Sequence, residues 1–382
     1  MSGFQGLILN GRHLSRSWLL ENRPFLDADA FTENELMTLR FCSDWLAGAQ
    51  TFVLQTSGST GAPRSVRLTR AQMVASAEAT GRALGLKPGD RALVCLSPAY
   101  IAGLMMLVRG FVLGLELVVV EPRGNPLLQL DSPETCRLDF AAFVPLQVQK
   151  ILAAGGDTLA MLHRMKAILV GGAPISQELH RKLQQVQAPI YQTFGMTETV
   201  SHIALRRLNG AQAGDFYEAL PGVCIDTDER GCLKVKAPQT AQKWVVTNDL
   251  VELLSSARFR WRGRFDNVIN SGGVKLAAEQ LEEEIAAVLA REDVTSAIAG
   301  RPFFVCGLPD AALGEAVTLV FEGEPFSRTA QQELLALLRA RLPRYHGPAS
   351  IRFLPHFART ANGKLQRRTS RERLLSKRRS PP

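Results

Sequence analysis

Three short apolar runs, each closed by a polar or glycine-rich segment, set the strongest limit on how this chain can fold. Thr51–Gln55 leads into Thr56–Ser65, Lys166–Val170 into Gly171–Pro174, and Ala188–Gln192 into Thr193–Thr199. Stretches of helical periodicity lie among them: Thr69 to Leu86 with Thr69 as its cap, Ile101 to Gly114, and a helix capped at Ser176. Ser65–Leu68, Arg91–Ser97 and Leu115–Glu121 read as further strands. Strands alternating with helices predict an α/β fold, with mainly parallel sheets covered by helices in a large N-terminal domain. Ligands of such sheets gather beyond the strand C-termini, so the polar segments are expected to share one site.

The pattern changes near Val223, where short strands and turns run to Phe259. An acidic helix over Ala277–Ala290 follows, then strands near 295–300, 303–307 and 317–321 and a helix over Thr329–Arg341. This last part predicts a small α+β domain. The boundary is placed at Asp266, giving domains of 1–265 and 266–382, with the final residues expected to be disordered. Residues 1–50 are weakly patterned, and no internal repeat is visible.

Charge and cysteine usage narrow the class. The net charge of +9 is gathered at one end: from Arg341 onward there are twelve Lys or Arg against one acid, Glu372, which leaves the rest at −2. That favours a local polyanion partner or a solvated tail. The six cysteines show no Cys-x-x-Cys pair, so they are read as reduced, buried thiols in a cytoplasmic protein. No secretory signal is apparent. Ile101–Val120 is apolar enough to raise the membrane question, but it holds Arg109, Glu116 and glycines, so a buried helix and strand are expected, with no integral membrane association.

The segment Thr56-Ser57-Gly58-Ser59-Thr60-Gly61-Ala62-Pro63-Arg64 has the chemistry of a phosphate grip. Gly58 and Gly61 allow successive N–H groups to converge on an anion, the hydroxyls add donors, and Arg64 adds a planar cationic fork. It is not a Walker A loop, and no Gly-x-Gly-x-x-Gly follows a strand. A bare Ser/Thr/Gly linker is the alternative reading. Gln192-Thr193-Phe194-Gly195-Met196-Thr197-Glu198 is the second informative stretch, an aromatic and a carboxylate in one loop that could stack a base and hold a metal. An acid after Thr is also an ordinary helix-start residue.

Together, in this order, these stretches resemble the adenylate-forming superfamily of acyl-CoA synthetases, luciferases and peptide-synthetase adenylation domains, and the resemblance covers most of the chain. It implies that residues 1–265 form an AMP-binding core and that 266–382 form a mobile domain carrying a catalytic lysine. Thr56–Arg64 is similar to the family's phosphate loop, with Arg64 in the usual place of lysine. Gly171, Gly172 and Ala173 resemble the segment lining adenine and the acyl carboxylate, and Phe194 the aromatic that stacks on adenine. Thr197 matches a phosphate-contacting hydroxyl and Glu198 the magnesium carboxylate. Thr247-Asn248-Asp249-Leu250 resembles the family's Thr-Gly-Asp-Leu, whose Asp grips ribose; Asn248 replaces the glycine. Arg264 matches the ribose or phosphate arginine, Asp266 the hinge, and Ser271-Gly272-Gly273 the loop beside the pantetheine tunnel. Lys364, in Arg359-Thr360-Ala361-Asn362-Gly363-Lys364, matches the lysine that drives adenylation.

Within the superfamily, the run from Thr197 to Arg206, the unusual Thr247-Asn248-Asp249-Leu250 and the Asn267–Gly273 segment look like short o-succinylbenzoate–CoA ligases of menaquinone synthesis. Ser201 and His202 become candidates for the acid's second polar group, with a buried strand histidine as the other reading of His202. Tyr100 stands where a histidine is usual after Ser97-Pro98. The resemblance implies ATP, Mg²⁺ and CoA with a small carboxylic acid, in two steps through an acyl-adenylate. A ligase for another aryl or alkyl acid, or a stand-alone enzyme charging a carrier protein, remains open, as does a homodimer. A basic nucleic-acid-binding protein is the distant alternative; no recognised motif or aromatic platform supports it, so no nucleic-acid partner is expected.

Overall fold

The computed structural model describes residues 4–22, 30–55, 65–130, 137–292, 298–360 and 365–376. The chain begins with β1 (Gly6–Leu9), β2 (Arg12–Ser15), α1 (Arg16–Glu21), α2 (Glu33–Leu46), β3 (Thr51–Gln55) and β4 (Ser65–Thr69). Then come α3 (Arg70–Leu84), β5 (Arg91–Val94), α4 (Ile101–Leu113), β6 (Glu116–Val119), β7 (Phe140–Phe143), α5 (Pro145–Ala154) and α6 (Gly156–Arg164). β8 (Ala167–Val170), α7 (Gln177–Leu183), β9 (Ile190–Gly195), β10 (His202–Arg207) and β11 (Tyr217–Ala219) follow. β12 (Cys224–Thr227), β13 (Cys232–Lys236), β14 (Val245–Leu253) and β15 (Arg258–Arg264) complete the large part of the chain. The remainder holds β16 (Val268–Ser271), β17 (Val274–Ala277), α8 (Ala278–Arg291), β18 (Phe303–Asp310), β19 (Gly314–Glu322), α9 (Arg328–Arg341), β20 (Ser350–Leu354) and α10 (Arg367–Ser376).

Local signals set the helix ends. Thr69 accepts from Gln72 N–H while the Gln72 side chain accepts from Thr69 N–H, a reciprocal capping box at the start of α3. α3 ends with Gly85 in the left-handed region, two residues before the expected Lys87-Pro88 stop, because a residue without Cβ takes that conformation at least cost. Gly114 closes α4 in the same way. Ser176 caps α7 as expected.

One sheet of 13 strands runs β12-β13-β14-β15-β11-β10-β9-β8-β7-β5-β6-β1-β2. The expected parallel arrangement is its middle, from β9 through β8, β7, β5 and β6 to β1. Both flanks are antiparallel, so the sheet as a whole is mixed. Helix α4 is buried along most of its length, as a helix between two layers must be when it is apolar all round. No helix of the described residues is long and apolar enough to cross a membrane.

A second sheet of five strands, β17-β16-β19-β18 with β20 beside β19, carries α8 and α9. The apolar clusters divide accordingly: two are built from residues up to Phe259 and two from Ile269 onward. Residues 298–300 form a turn, not the strand expected near 295–300; 293–297 lie outside the described residues. Cys42, Cys95, Cys232 and Cys306 are buried thiols, whereas Cys224 on the edge strand β12 is exposed, against expectation; Cys136 lies outside the described residues. Among the described residues, four cations of the basic end pair with acids distant in sequence: Arg341 with Glu292, Arg359 with Glu322, Arg367 with Glu282 and Arg371 with Glu315.

Candidate active site

Parallel pairing of β8 with β9, Val170 opposite Gln192, sets Gly171–Ala173 beside Thr193 and Phe194. The approach is close: a Cβ at Gly171 would stand 2.1 Å from Thr193 Oγ1. Phe194 is half-buried, with its ring 5.1 Å from Phe259 and 5.4 Å from Tyr217. Those two rings stack on each other, so the plane of Phe194 is set by an aromatic pair behind it. Burial pushes the Tyr217 hydroxyl up to about 12, with Arg206 opposing the shift and the Glu283 and Asp249 carboxylates adding to it.

The β9–β10 hairpin carries Thr197 and Glu198. Gly195 pairs with His202, and a Cβ at Gly195 would lie 2.3 Å from the Ser201 carbonyl oxygen, so the two strands meet here only because residue 195 is glycine. The Thr199 hydroxyl, buried, accepts from Met196 N–H at 3.0 Å and donates to the Ser201 carbonyl at 2.8 Å. Val200 sits at φ 66°, ψ −43° with its side chain fully buried. A β-branched residue there is strained by about 1–3 kcal/mol, held by the packing around it. Glu198 itself is exposed at the tip.

Ser201 and His202 belong to a buried polar cluster that the sequence did not announce. Arg109, in the middle of α4 and 2% exposed, donates to Ser201 Oγ at 3.0 Å and to His202 Nδ1 at 3.5 Å. Since an arginine only donates, His202 Nδ1 accepts and its Nε2–H donates to Thr80 Oγ1 at 3.1 Å; Thr80 passes a bond on to the Ser76 carbonyl. The imidazole is held well below its ordinary value by burial first and by the Arg109 cation second. Burial pushes the guanidinium itself down to about 9, so it stays charged at neutral pH. Its Nε is buried without a partner, and no carboxylate pairs with it among the described residues. A buried cation without an anion is costly, and the lone arginine in an otherwise apolar helix was the available signal.

Asp249 and Arg264 face each other across β14 and β15, 3.5 Å apart, and Trp261 Nε1 donates to Asp249 Oδ1 at 3.0 Å. Burial raises the Asp249 carboxyl despite these two partners. Ser271, Gly272 and Gly273 form the tight β16–β17 turn, with both glycines at positive φ, in the small domain and apart from the cluster above. Tyr100 is exposed at the start of α4 and makes no side-chain cap. Thr56, Ser57, Gly58, Ser59, Thr60, Gly61, Arg64 and Lys364 lie outside the described residues. Gln55 and Ser65, which bracket the first segment, pair across the β3–β4 hairpin. The second is bracketed by an Arg359–Leu365 bridge and by Arg367, half-buried against Glu282 with a 2.6 Å bond.

The donor set suits a hard cation only in part. Among the described residues no group of three or more His, Cys, Asp or Glu could hold a metal. A single exposed carboxylate such as Glu198 matches the way Mg²⁺ is held together with phosphate oxygens rather than in an all-protein cage.

Comparison with known proteins gives these features a frame. The profile of the AMP-binding enzyme family matches residues 14–223. A solved structure of an acyl-CoA synthetase (AMP-forming)/AMP-acid ligase II-like protein from Dyadobacter fermentans is 44% identical, covering 90% of this chain and 95% of that one, with a TM-score of 0.60. A 2-succinylbenzoate–CoA ligase from Bacillus cereus is 27% identical over 349 residues, 84% of this chain and 69% of its own length. O-succinylbenzoate coenzyme A synthetase from Bacillus subtilis, in complex with ATP and magnesium ion, shares the fold with a TM-score of 0.67 at 24% identity, covering 84% of this chain and 69% of that one.

Proposed function

The chain belongs to the AMP-binding enzyme family and is an AMP-forming acid–CoA ligase, and from that premise we propose that the acid it activates is o-succinylbenzoate, for menaquinone synthesis. The observation that carries this reading is Arg109, a buried guanidinium with no described carboxylate partner, donating to the half-buried Ser201. A ligase for a simple acid needs one carboxylate at the reacting centre. A buried cation behind the Ser201 hydroxyl suits an acid with two. The relatives named as 2-succinylbenzoate–CoA ligases support the same choice.

The chemistry runs in two steps. An oxygen of the acid's carboxylate attacks the α-phosphorus of ATP, the bond to pyrophosphate breaks, and an acyl-adenylate forms. The CoA thiolate then attacks the acyl carbon and AMP leaves. Charge gathers on phosphate oxygens, so positioning and electrostatic stabilisation supply most of the rate. Thr56–Arg64 grips the β- and γ-phosphates, Phe194 stacks on adenine against its aromatic pair, Asp249 and Arg264 take the ribose, and Thr197 meets phosphate. Glu198 would hold Mg²⁺, which neutralises phosphate charge when bound. Lys364 contacts the acid and the α-phosphate in the first step. Ser271–Gly273 lines the path of the CoA arm, and the domain from Asp266 onward swings between steps.

The test is pyrophosphate release over a panel of aryl and alkyl acids with o-succinylbenzoate included. A strong preference for that acid is expected. Equal rates with benzoate would remove the assignment of the acid and leave the ligase.

A further inference from the structure

Asn248 stands where the resembled pattern has glycine, and its side chain is fully used. Its Nδ2 donates to both carboxylate oxygens of Asp266, at 3.1 and 3.3 Å, while its Oδ1 accepts from Arg230 Nη1 at 3.1 Å. Arg230 is fixed in turn: its Nε donates to Asp228 Oδ2 at 2.8 Å, its Nη2 to the Thr247 carbonyl at 3.3 Å, and its guanidinium lies 4.9 Å from the ring of Phe265. The 228–231 turn, β14 and the 265–267 turn are thereby tied at one point. Arg264 adds a 3.3 Å bond to Asp266.

The same turn seats the small domain. Glu279 of α8 accepts from Arg264 N–H at 3.2 Å and from Asn267 Nδ2. A Cβ at Gly263 would stand 2.7 Å from Glu279 Oε2, so the helix rests directly on the strand that leads into the turn.

We propose that Asn248 is a positioning residue: its amide latches Asp266 and biases the enzyme toward the domain arrangement of this structure. The inference rests on the proposed ligase reading, in which the domain beyond Asp266 swings between the two half-reactions. A contact made in one arrangement and lost in the other shifts their populations by its own strength. Glycine at 248 offers no donor to Asp266 and no acceptor to Arg230, so the latch depends on the asparagine.

Two measurements test it in the full-length enzyme. Spin labels on unnatural residues at 178 in α7 and 328 in α9 report the inter-domain distance distribution. Pyrophosphate exchange and thioester formation from supplied acyl-adenylate report the half-reactions. Asn248→Gly is expected to broaden the distribution and change the ratio of the half-reaction rates about fivefold, the shift that one hydrogen bond of ordinary net strength supports. Asn248→Asp keeps the acceptor for Arg230 but repels Asp266, so it should match or exceed the glycine variant. If both variants keep the wild-type distribution, the latch is refuted, even where the rate ratio moves. Failure of the ligase reading looks different: the wild-type enzyme then makes no adenylate with any acid, while the distance distributions still decide the latch.

Discussion

Arg109 Nη2 and Ser201 Oγ meet at 3.0 Å although 92 positions separate them in the chain. The first comes from the middle of a buried helix and the second from the end of the loop that carries Glu198. In the proposed reading this bond brings a positive charge to the wall of the acid's site without exposing it. Replacing Arg109 with Met keeps the volume and removes the charge. Expected is a fall of about 100-fold in kcat/KM for the dicarboxylic acid, with the KM for ATP little changed. Thermal stability should hold or rise, since an unpaired buried cation is lost. Steady-state kinetics with both substrates beside a melting curve check this; equal loss for benzoate and o-succinylbenzoate would make Arg109 a packing residue.

His202 gives a pH dependence whose sign follows from its burial. Its folded-state value is held below the ordinary 6.5 by burial and by Arg109. The unfolded chain therefore takes up a proton that the folded chain refuses, and stability is lost as pH falls below about 6.5. Above that pH the contribution is complete. His202→Gln should flatten the fall between pH 7 and 5 in urea titrations at fixed temperature, and an unchanged slope would show that the loss comes from other groups.

Lys364→Ala should abolish adenylation while thioester formation from supplied acyl-adenylate survives. Rapid-quench assays of the two half-reactions separate these outcomes. Retention of adenylation would leave the first step without its cation.

Two glycines near the nucleotide loops should answer differently to alanine. At Gly195 the new Cβ meets backbone, the Ser201 carbonyl oxygen at 2.3 Å and His202 Cα at 2.6 Å, and neither can move without parting β9 from β10. A loss of about 3 kcal/mol is expected by chemical denaturation. At Gly171 it meets the Thr193 hydroxyl, which can turn away. Gly171→Ala should therefore fold normally and show its defect in the KM for ATP.

What could be read from the sequence was mostly local. Thr69, Ser176 and Gly114 mark helix ends because a cap is decided within a few residues. The first 50 residues looked unpatterned because β1 finds its parallel partner in β6, more than a hundred positions away, and its alternation is too short to stand out. Thr32 and Glu35 do form a capping box there, a signal present and passed over. Arg109 was legible only as a charge that disqualified a membrane span; its use depends on where β10 lands. Asn248 could be seen as a departure from the family pattern, but its bond to Asp266 needs the fold. The strand expected near 295–300 failed for the opposite reason: an apolar stretch at 298–300 closes a turn under the small domain's core, through Ile298.

The hairpin of β3 and β4 belongs to neither large sheet; its strands pair only with each other. It is attached through side chains, with Phe52 against Phe41 and Trp45 and with Leu54 and Leu68 buried. Interdigitated side chains yield to small sliding displacements, whereas a strand in a ladder moves only with its neighbours. A shift of the β3–β4 hairpin would therefore leave every ladder of the thirteen-stranded sheet intact.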